Sequence, residues 1–434
     1  MKTVVADIET ESLTPEKVWC AVAKEVGTQG YQVWDIKTGY SSFPEYAKGV
    51  DRWVFHNGIS FDAPVINKLI ADCIPHEKIV DTFVVSRLVN YSNFNGHGLD
   101  EIGITLGQPK TVFNDFSEYT PTMLQYCKDD VDLGTKIYKK YEKYINDPAW
   151  AKSMEVEHKT AQLCKEMHDN GFKFDMDLAM KLLPQIKERL YELEANMKDA
   201  WPDALVEVNR VKYRTKDNGE LYATVTNSMD NYPKTEIDYS DELNPELVCY
   251  DWRSFNPGSS KDRVEKLWEA GWDPTEKSKG HYKFTLKGEV GEKWGKTKLT
   301  QETYDEKKEY FKFYGWTVSD ENLATLPATA PQGARDLAEW LCLNGRLKAL
   351  EERIRCCDSD GRIRANFWHI GAWTHRKSHS NPNLANISSP FHGEVVTPVD
   401  FVKNKYDADF RRMFTVDEGH YIVGTDAESI QLRV

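Results

Sequence analysis

Thr3-Val4-Val5-Ala6-Asp7-Ile8-Glu9 reads as a strand that carries two acids. β-Branched residues fill the run, as strands prefer. Side chains on a strand point to opposite faces in turn, so Asp7 and Glu9, two residues apart, face the same way. Two ionised carboxylates held side by side repel each other, and a divalent cation is the usual remedy. Taken alone, the pair also fits a solvated strand end with two surface acids. Further strand-like runs occupy 19–26 and 53–55, and helical patterns occupy 63–73, 83–90 and 122–144. Strands first and helices interleaved later predict an α/β domain with a mixed sheet.

Two more acidic elements follow. His56-Asn57-Gly58-Ile59-Ser60-Phe61-Asp62 turns through Asn-Gly and leads into a helix with Pro64 near its start. Asp62 stands at that helix N-terminus, where the ordinary role of an aspartate is a cap. In Tyr126-Cys127-Lys128-Asp129-Asp130-Val131-Asp132, Tyr126 and Asp130 are four apart and share a helix face. Spacing alone also admits Asp129, one turn from Tyr126, and a solvated acidic face needs no further explanation.

In this order, Asp-x-Glu, Asn-x-x-x-Phe-Asp and Tyr-x-x-x-Asp resemble the proofreading 3′→5′ exonuclease domain that uses four acids and a tyrosine on an RNase H-like fold. The resemblance implies that Asp7, Glu9, Asp62 and Asp130 hold two divalent ions, Mg²⁺ or Mn²⁺, and that Tyr126 orients the attacking water. It also implies DNA contacts from Leu13 and Asn57. A sister group carries histidine five residues before the last aspartate; here that residue is Gln125, which selects the tyrosine variant. Two metals about 3.5–4 Å apart can activate water and stabilise the departing 3′-oxygen.

At 434 residues the chain has room for two or three domains. Its 40% hydrophobic and 12% aromatic content excludes a disordered majority. No apolar run approaches about 18 residues, so no membrane span is expected. The start lacks the long apolar core of a signal peptide, which predicts an intracellular protein. The eight cysteines, of which Cys356 and Cys357 are merely adjacent, show no paired metal-ligand spacing, so reduced thiols and no structural zinc are expected. A net charge of −13 argues against phosphate binding over the whole surface. It still leaves room for a nucleic-acid enzyme whose metal-holding acids add negative charge beside a basic groove.

The middle opens with a helical stripe of Met154, His158, Ala161, Leu163, Cys164 and Met167 that stops at Asn170-Gly171. A second helix is expected over 177–200. Residues 202–250 alternate polar and β-prone residues around Asp217-Asn218-Gly219, a hairpin signal, and read as an insertion: a small β-appendage or a loop. Phe255-Asn256-Pro257-Gly258-Ser259-Ser260-Lys261-Asp262-Arg263 begins another helix, capped by Ser259 or Ser260. The exposed N–H groups there suit a phosphate, with charge from Lys261 and Arg263, although an ordinary capped helix fits as well. Residues 280–318 lack clean periodicity and read as a loop-rich connection. An amphipathic helix returns over 335–352.

Near the end, Gly361-Arg362-Ile363-Arg364-Ala365-Asn366-Phe367 reads as a strand after a turn. Thr374-His375-Arg376-Lys377-Ser378 and Asn381-Pro382-Asn383-Leu384-Ala385-Asn386-Ile387 form a loop dense in polar donors, suited to a phosphate backbone. Thr425-Asp426-Ala427-Glu428-Ser429-Ile430-Gln431-Leu432-Arg433 reads as a metal-binding aspartate at a strand end followed by a first helical turn.

These segments resemble family A DNA polymerases, the bacterial polymerase I type, and most closely their T-odd phage branch. Residues 255–260 match the thumb signature, 374–387 the first polymerase motif and 425–433 motif A. The resemblance implies an exonuclease domain over 1–148, a mainly helical thumb over 149–350 with the insertion at 202–250, and a partial α+β palm over 351–434. It implies that Asp426 binds a further catalytic ion. DNA contacts fall to Arg376 and Asn383, and duplex contacts to Ser259, Ser260, Lys261 and Arg263. Three departures stand out. His375 replaces the family's glycine, and Gln431 replaces the glutamate that excludes the ribose 2′-hydroxyl. The fingers helix and the second palm aspartate are missing.

The expected function is therefore the N-terminal portion of a replicative DNA-directed DNA polymerase with built-in proofreading. A natural split completed by a partner chain is favoured over an interrupted gene or a truncated fragment. The alternative is a free-standing exonuclease whose polymerase-like remnant only binds DNA. Expected partners are a single-stranded 3′ end, a primer-template duplex, the C-terminal polymerase part and, at 202–250, a processivity factor. The compartment would be the host cytoplasm if the protein is phage-encoded.

Overall fold

The computed structural model describes residues 1–92 and 96–425, so Asp426 and Gln431 lie outside the described residues. The described chain gathers into two units, one of Met1–Lys173 with Cys356–Asn386 and the other of Phe174–Arg355 with the residues from Ile387 on.

In the first unit, β1 (Thr3–Thr10), β2 (Val18–Glu25), β3 (Gln32–Asp35), β4 (Arg52–Phe55) and β5 (Ile79–Asp81) form one sheet in the order β3-β2-β1-β4-β5. The β1–β2 and β2–β3 pairs are antiparallel, whereas β1–β4 and β4–β5 are parallel. This is the mixed sheet that the order of elements predicted. Helices α1 (Phe43–Lys48), α2 (Asp62–Leu69), α3 (Thr82–Val89), α4 (Leu99–Thr105), α5 (Pro121–Ile145) and α6 (Ala151–Asn170) accompany it.

The central strand divides its side chains between two cores. Val4, Ala6 and Ile8 pack with Trp34, Trp53 and Ile66, while Val5 packs with Cys127, Val131 and Tyr138 of α5. Asp7 and Glu9 lie on the Val5 side by the period of two, so both acids face α5. Gly134 lets the helix come close: a Cβ there would lie 3.1 Å from Val5 Cγ1. The pairing of β1 is uneven along its length. β4 accompanies it only over Thr3–Val5, while β2 continues to Thr10 through a register shift at Glu9/Thr10. Later in this unit, Arg362 and Ile363 pair with Lys173 and Phe172.

In the second unit the helices Met176–Ala200 and Gln332–Arg355 are joined by Arg189, whose Nε and Nη2 donate to Glu339 at 2.7 and 2.9 Å. The 202–250 region is a β-appendage. Strands Ala204–Lys212 and Lys234–Asp238 flank the strand Glu246–Arg253, and the helix Ala223–Asn231 buries Val225 against Leu247 and Cys249. Gly219, at φ 85°, makes the expected tight turn, but that turn closes a short Thr215–Leu221 bridge instead of joining the long strands.

The loop reading of 280–318 is corrected. Helices Lys279–Lys287 and Gln301–Tyr314 cross this region, and Phe284, Trp294, Tyr304 and Phe311 pack on one another. Their aromatics serve a local cluster, so no stripe of period 3.6 points to a larger core.

Candidate active site

Each acid arrives on a different kind of support. Asp7 and Glu9 ride the central strand, and the turn before α2 delivers Asp62. The buried Asp81 carboxylate fixes that turn by accepting the Asn57 and Ile59 N–H groups at 2.9 and 3.0 Å. Asn57 sits at φ 68°, a left-handed conformation that asparagine tolerates. Asp62 is the first residue of α2 rather than its cap: the N-cap position is Phe61, which makes no side-chain cap.

Glu9, Asp62 and Asp130 are 7%, 6% and 4% exposed, rare values for carboxylates. Burial, and then the charges of Asp62, Glu9 and Asp130, push the Asp7 carboxyl well above its usual range. Burial and the nearby Asp130 charge bring Glu9 up to about 8. Burial likewise raises Asp62 to about 7, although the backbone N–H groups of Asp62 and Ile8 oppose the rise. Asp130 is raised by burial against the pull of Lys110. Four carboxylates thus sense one another at one buried spot.

Asp129 and Asp130 differ in their partners. Asp129 accepts from Gln125 Nε2 at 2.9 Å and from Thr111 Oγ1 at 3.0 Å, away from the other acids. Asp130 joins them, and its Oδ1 is buried without a hydrogen-bond partner. An orphaned carboxylate oxygen among acids suits a hard cation, which prefers oxygen donors. Tyr126 stands one turn away with its ring stacked on Phe113, centroids 5.2 Å apart, and edge-on to Phe116 at 6.2 Å. Burial pushes its hydroxyl up to about 12.

Two residues at this spot carried no signal in the sequence. Cys127 Sγ lies 3.5 Å from Asp7 Oδ2, and ligand atoms of Asp7, Glu9 and Cys127 fall within 4.8 Å of one another. Lys110 Nζ lies 2.8 Å from Asp130 Oδ2 and 4.9 Å from the Tyr126 ring centroid. The segment between α4 and α5 that carries Lys110 belongs to no helix or strand, and no periodicity could have flagged it. Tertiary bonds place it: the Lys110 N–H donates to Asp100 at 2.9 Å, and Trp19 Nε1 donates to the Phe116 carbonyl at 3.0 Å.

Leu13, 89% exposed, and Asn57 line a neighbouring cavity of about 900 Å³ with Phe61, Phe83, Trp368 and His369. Arg376 and Asn383 are exposed on the 371–390 segment. His375, where the family has glycine, adopts φ 57°, a region glycine enters freely. In the second unit, Ser259 caps the helix Ser260–Glu269 by accepting the Asp262 N–H, and Ser260 Oγ accepts from Arg263 at 3.0 Å. Lys261 is exposed, with Glu265 3.9 Å away.

No protein-family model matches the chain. It is 24% identical over 481 residues to a DNA-directed DNA polymerase of Enterobacteria phage T3, covering 88% of this chain and 62% of the relative. A DNA-directed DNA polymerase of Escherichia phage T7 is 24% identical over 477 residues with the same coverage. In sequence the chain is thus similar to part of these phage DNA polymerases. It spans 62% of the length of these curated relatives. In fold it resembles the POL domain of Pol1 from M. smegmatis, solved with DNA primer-template and dNTP: the TM-score is 0.54 at 13% identity, over 96% of this chain and 55% of that one. Among the described residues, no helix is long and apolar enough to cross a membrane.

Proposed function

We propose that the first unit is a proofreading 3′→5′ exodeoxyribonuclease that uses two Mg²⁺ or Mn²⁺ ions. The reading rests on one observation: ligand atoms of Asp7 and Glu9 lie within 4.8 Å of each other, and the charges of the buried Asp62 and Asp130, far off in sequence, raise both carboxyls. Such crowding is stable in water only when protons or cations offset it. These four carboxylates would hold the ions, which supply an activated water and a counter-charge for the departing 3′-oxygen. Tyr126 keeps its proton at neutral pH, so its hydroxyl orients the water as a hydrogen-bond donor and does not act as a base. Leu13 and Asn57 would steady the single-stranded 3′ end beside the cavity they line.

By its likeness to the phage relatives, the further activity proposed is DNA-directed DNA synthesis. Residues 1–148 would proofread, 149–350 would act as thumb and 351–434 as part of the palm. Ser259, Ser260, Lys261 and Arg263 would hold the duplex, Arg376 and Asn383 the primer-template, and Asp426 a catalytic ion. Gln431 would take part in sugar selection. The fingers and second palm aspartate would come from the same or another polypeptide. A processivity factor docking at 202–250, and action in the cytoplasm of an infected cell, belong to the same reading.

The deciding experiment incubates the purified chain with 5′-labelled single-stranded DNA and Mg²⁺. Stepwise shortening from the 3′ end is expected, falling to background with EDTA and in the Asp7→Ala, Glu9→Ala double variant. Metal-dependent cleavage that persists in that variant removes the assignment.

A further inference from the structure

Lys110 is a cation inside a cluster of acids, on a segment that no motif marks. Its ammonium pairs with Asp130 at 2.8 Å and stands 4.9 Å from the ring of Tyr126, so it touches both the proposed last ion ligand and the proposed water-orienting residue. The lysine side chain is 30% exposed and the aspartate 4%, so the lysine reaches the buried carboxylate from the more open side. Its backbone is pinned through Asp100, leaving the four-carbon stem free to swing.

Charge bookkeeping shows what such a cation can do. Four carboxylates and one ammonium carry three net negative charges, and two divalent ions turn this to one positive. A single phosphodiester then brings the loaded site to neutrality. Without the lysine the same complex retains one uncompensated negative charge in a partly buried place, where charge interactions are strong. The ammonium holds Asp130 Oδ2 while Oδ1 is without a partner, so a divalent ion and the ammonium draw on the charge of one carboxylate.

We propose that Lys110 is the resident cation of the exonuclease site: it holds the Asp130 carboxylate until divalent ions arrive, then grips a non-bridging oxygen of the scissile phosphate beside Tyr126. The proposal rests on the exonuclease reading above and adds a catalytic residue to it. An ammonium beside the phosphate stabilises the charge that develops there during displacement.

The test compares the full chain with its Lys110→Ala and Lys110→Arg variants. Two readouts are used: single-turnover degradation of a single-stranded 3′ end, and Mn²⁺ binding followed by electron paramagnetic resonance. Lys110→Ala should slow degradation about 10²-fold, the effect of removing one charge-stabilising donor. It should also bind Mn²⁺ severalfold more tightly, because a competing cation has gone. Lys110→Arg should keep the rate within about tenfold of the original, since it restores the charge. Damage to the fold would weaken metal binding, so tighter binding with slower cleavage is the expected signature. An Ala variant that cleaves at the original rate, or binds Mn²⁺ no more tightly, overturns the proposal. If the Ala variant does not fold, Lys110→Met keeps the stem and is judged by the same two readouts. Should the unaltered chain cleave nothing, the exonuclease reading fails, while the Mn²⁺ comparison still decides whether Lys110 competes for the metal.

Discussion

Glu9 turns its surroundings into a measurable pH effect. Its carboxyl has an ordinary value of 4.5 and rises to about 8 in the folded, metal-free protein. Between these values the folded state holds a proton that the unfolded chain has released. Stability therefore falls as pH rises from about 4.5 to about 8 and is indifferent to this group outside that window. Asp62, raised to about 7, works in the same sense. Glu9→Gln should accordingly raise the metal-free melting temperature at pH 8 and leave it unchanged near pH 4, as read by scanning calorimetry. Mg²⁺ should raise the melting temperature of the unaltered chain more at pH 8 than at pH 6; a variant that tracks the unaltered chain at every pH refutes the shift. At this scale Asp7 and Glu9 were legible because a period of two needs only the sequence. Spacing left Asp129 open beside Asp130, which only the resemblance singled out; Gln125 and Thr111 claim the Asp129 carboxylate. Lys110 was invisible because tertiary bonds, not periodicity, aim a loop side chain.

Among the elements, those with a strong period were readable in advance. The helices at 121–145 and 176–200 bury a regular stripe, while the strand at 3–10 and the first half of the helix at 332–355 are buried almost all round. The helices between 279 and 314 were missed because their aromatics satisfy one another, and a buried polar residue joins the backbone bridge of Lys277 with Trp316 in holding the base of that excursion. Asn322 is fully buried. Its Oδ1 accepts from the Thr275 and Glu276 N–H groups at 2.9 and 3.0 Å, and its Nδ2 donates to the Glu276 and Thr317 carbonyls at 2.8 Å each. Asn322→Ala removes the side-chain partner of those groups, leaving the Thr275 and Glu276 N–H groups unpaired by it, and should cost about 3 kcal/mol. Limited proteolysis should then cut within 277–316 much faster than in the unaltered chain; equal cutting rates would show that the excursion is held by other means.

For the molecule as a whole, a net charge of −13 and the proposed work on DNA are reconciled locally. Four of the acids crowd into one site, while Arg376 and Lys261 stand exposed. Whether the chain builds DNA is read by primer extension. The chain mixed with a polypeptide bearing fingers and the second palm aspartate should extend a primer that neither extends alone, and degradation without extension would favour the stand-alone nuclease.

The uneven pairing of β1 reaches beyond the chemistry of its acids. Val4 and Val5 lie between two strands, and their amides should exchange with solvent only when the whole unit unfolds. Ile8 and Glu9 lean on β2 alone, with the Asp62 carboxylate near the Ile8 N–H on the other side. A cation drawing Asp62 and Glu9 together would close that open flank, so the strand that carries the acids would become uniformly long-lived only once the site is filled.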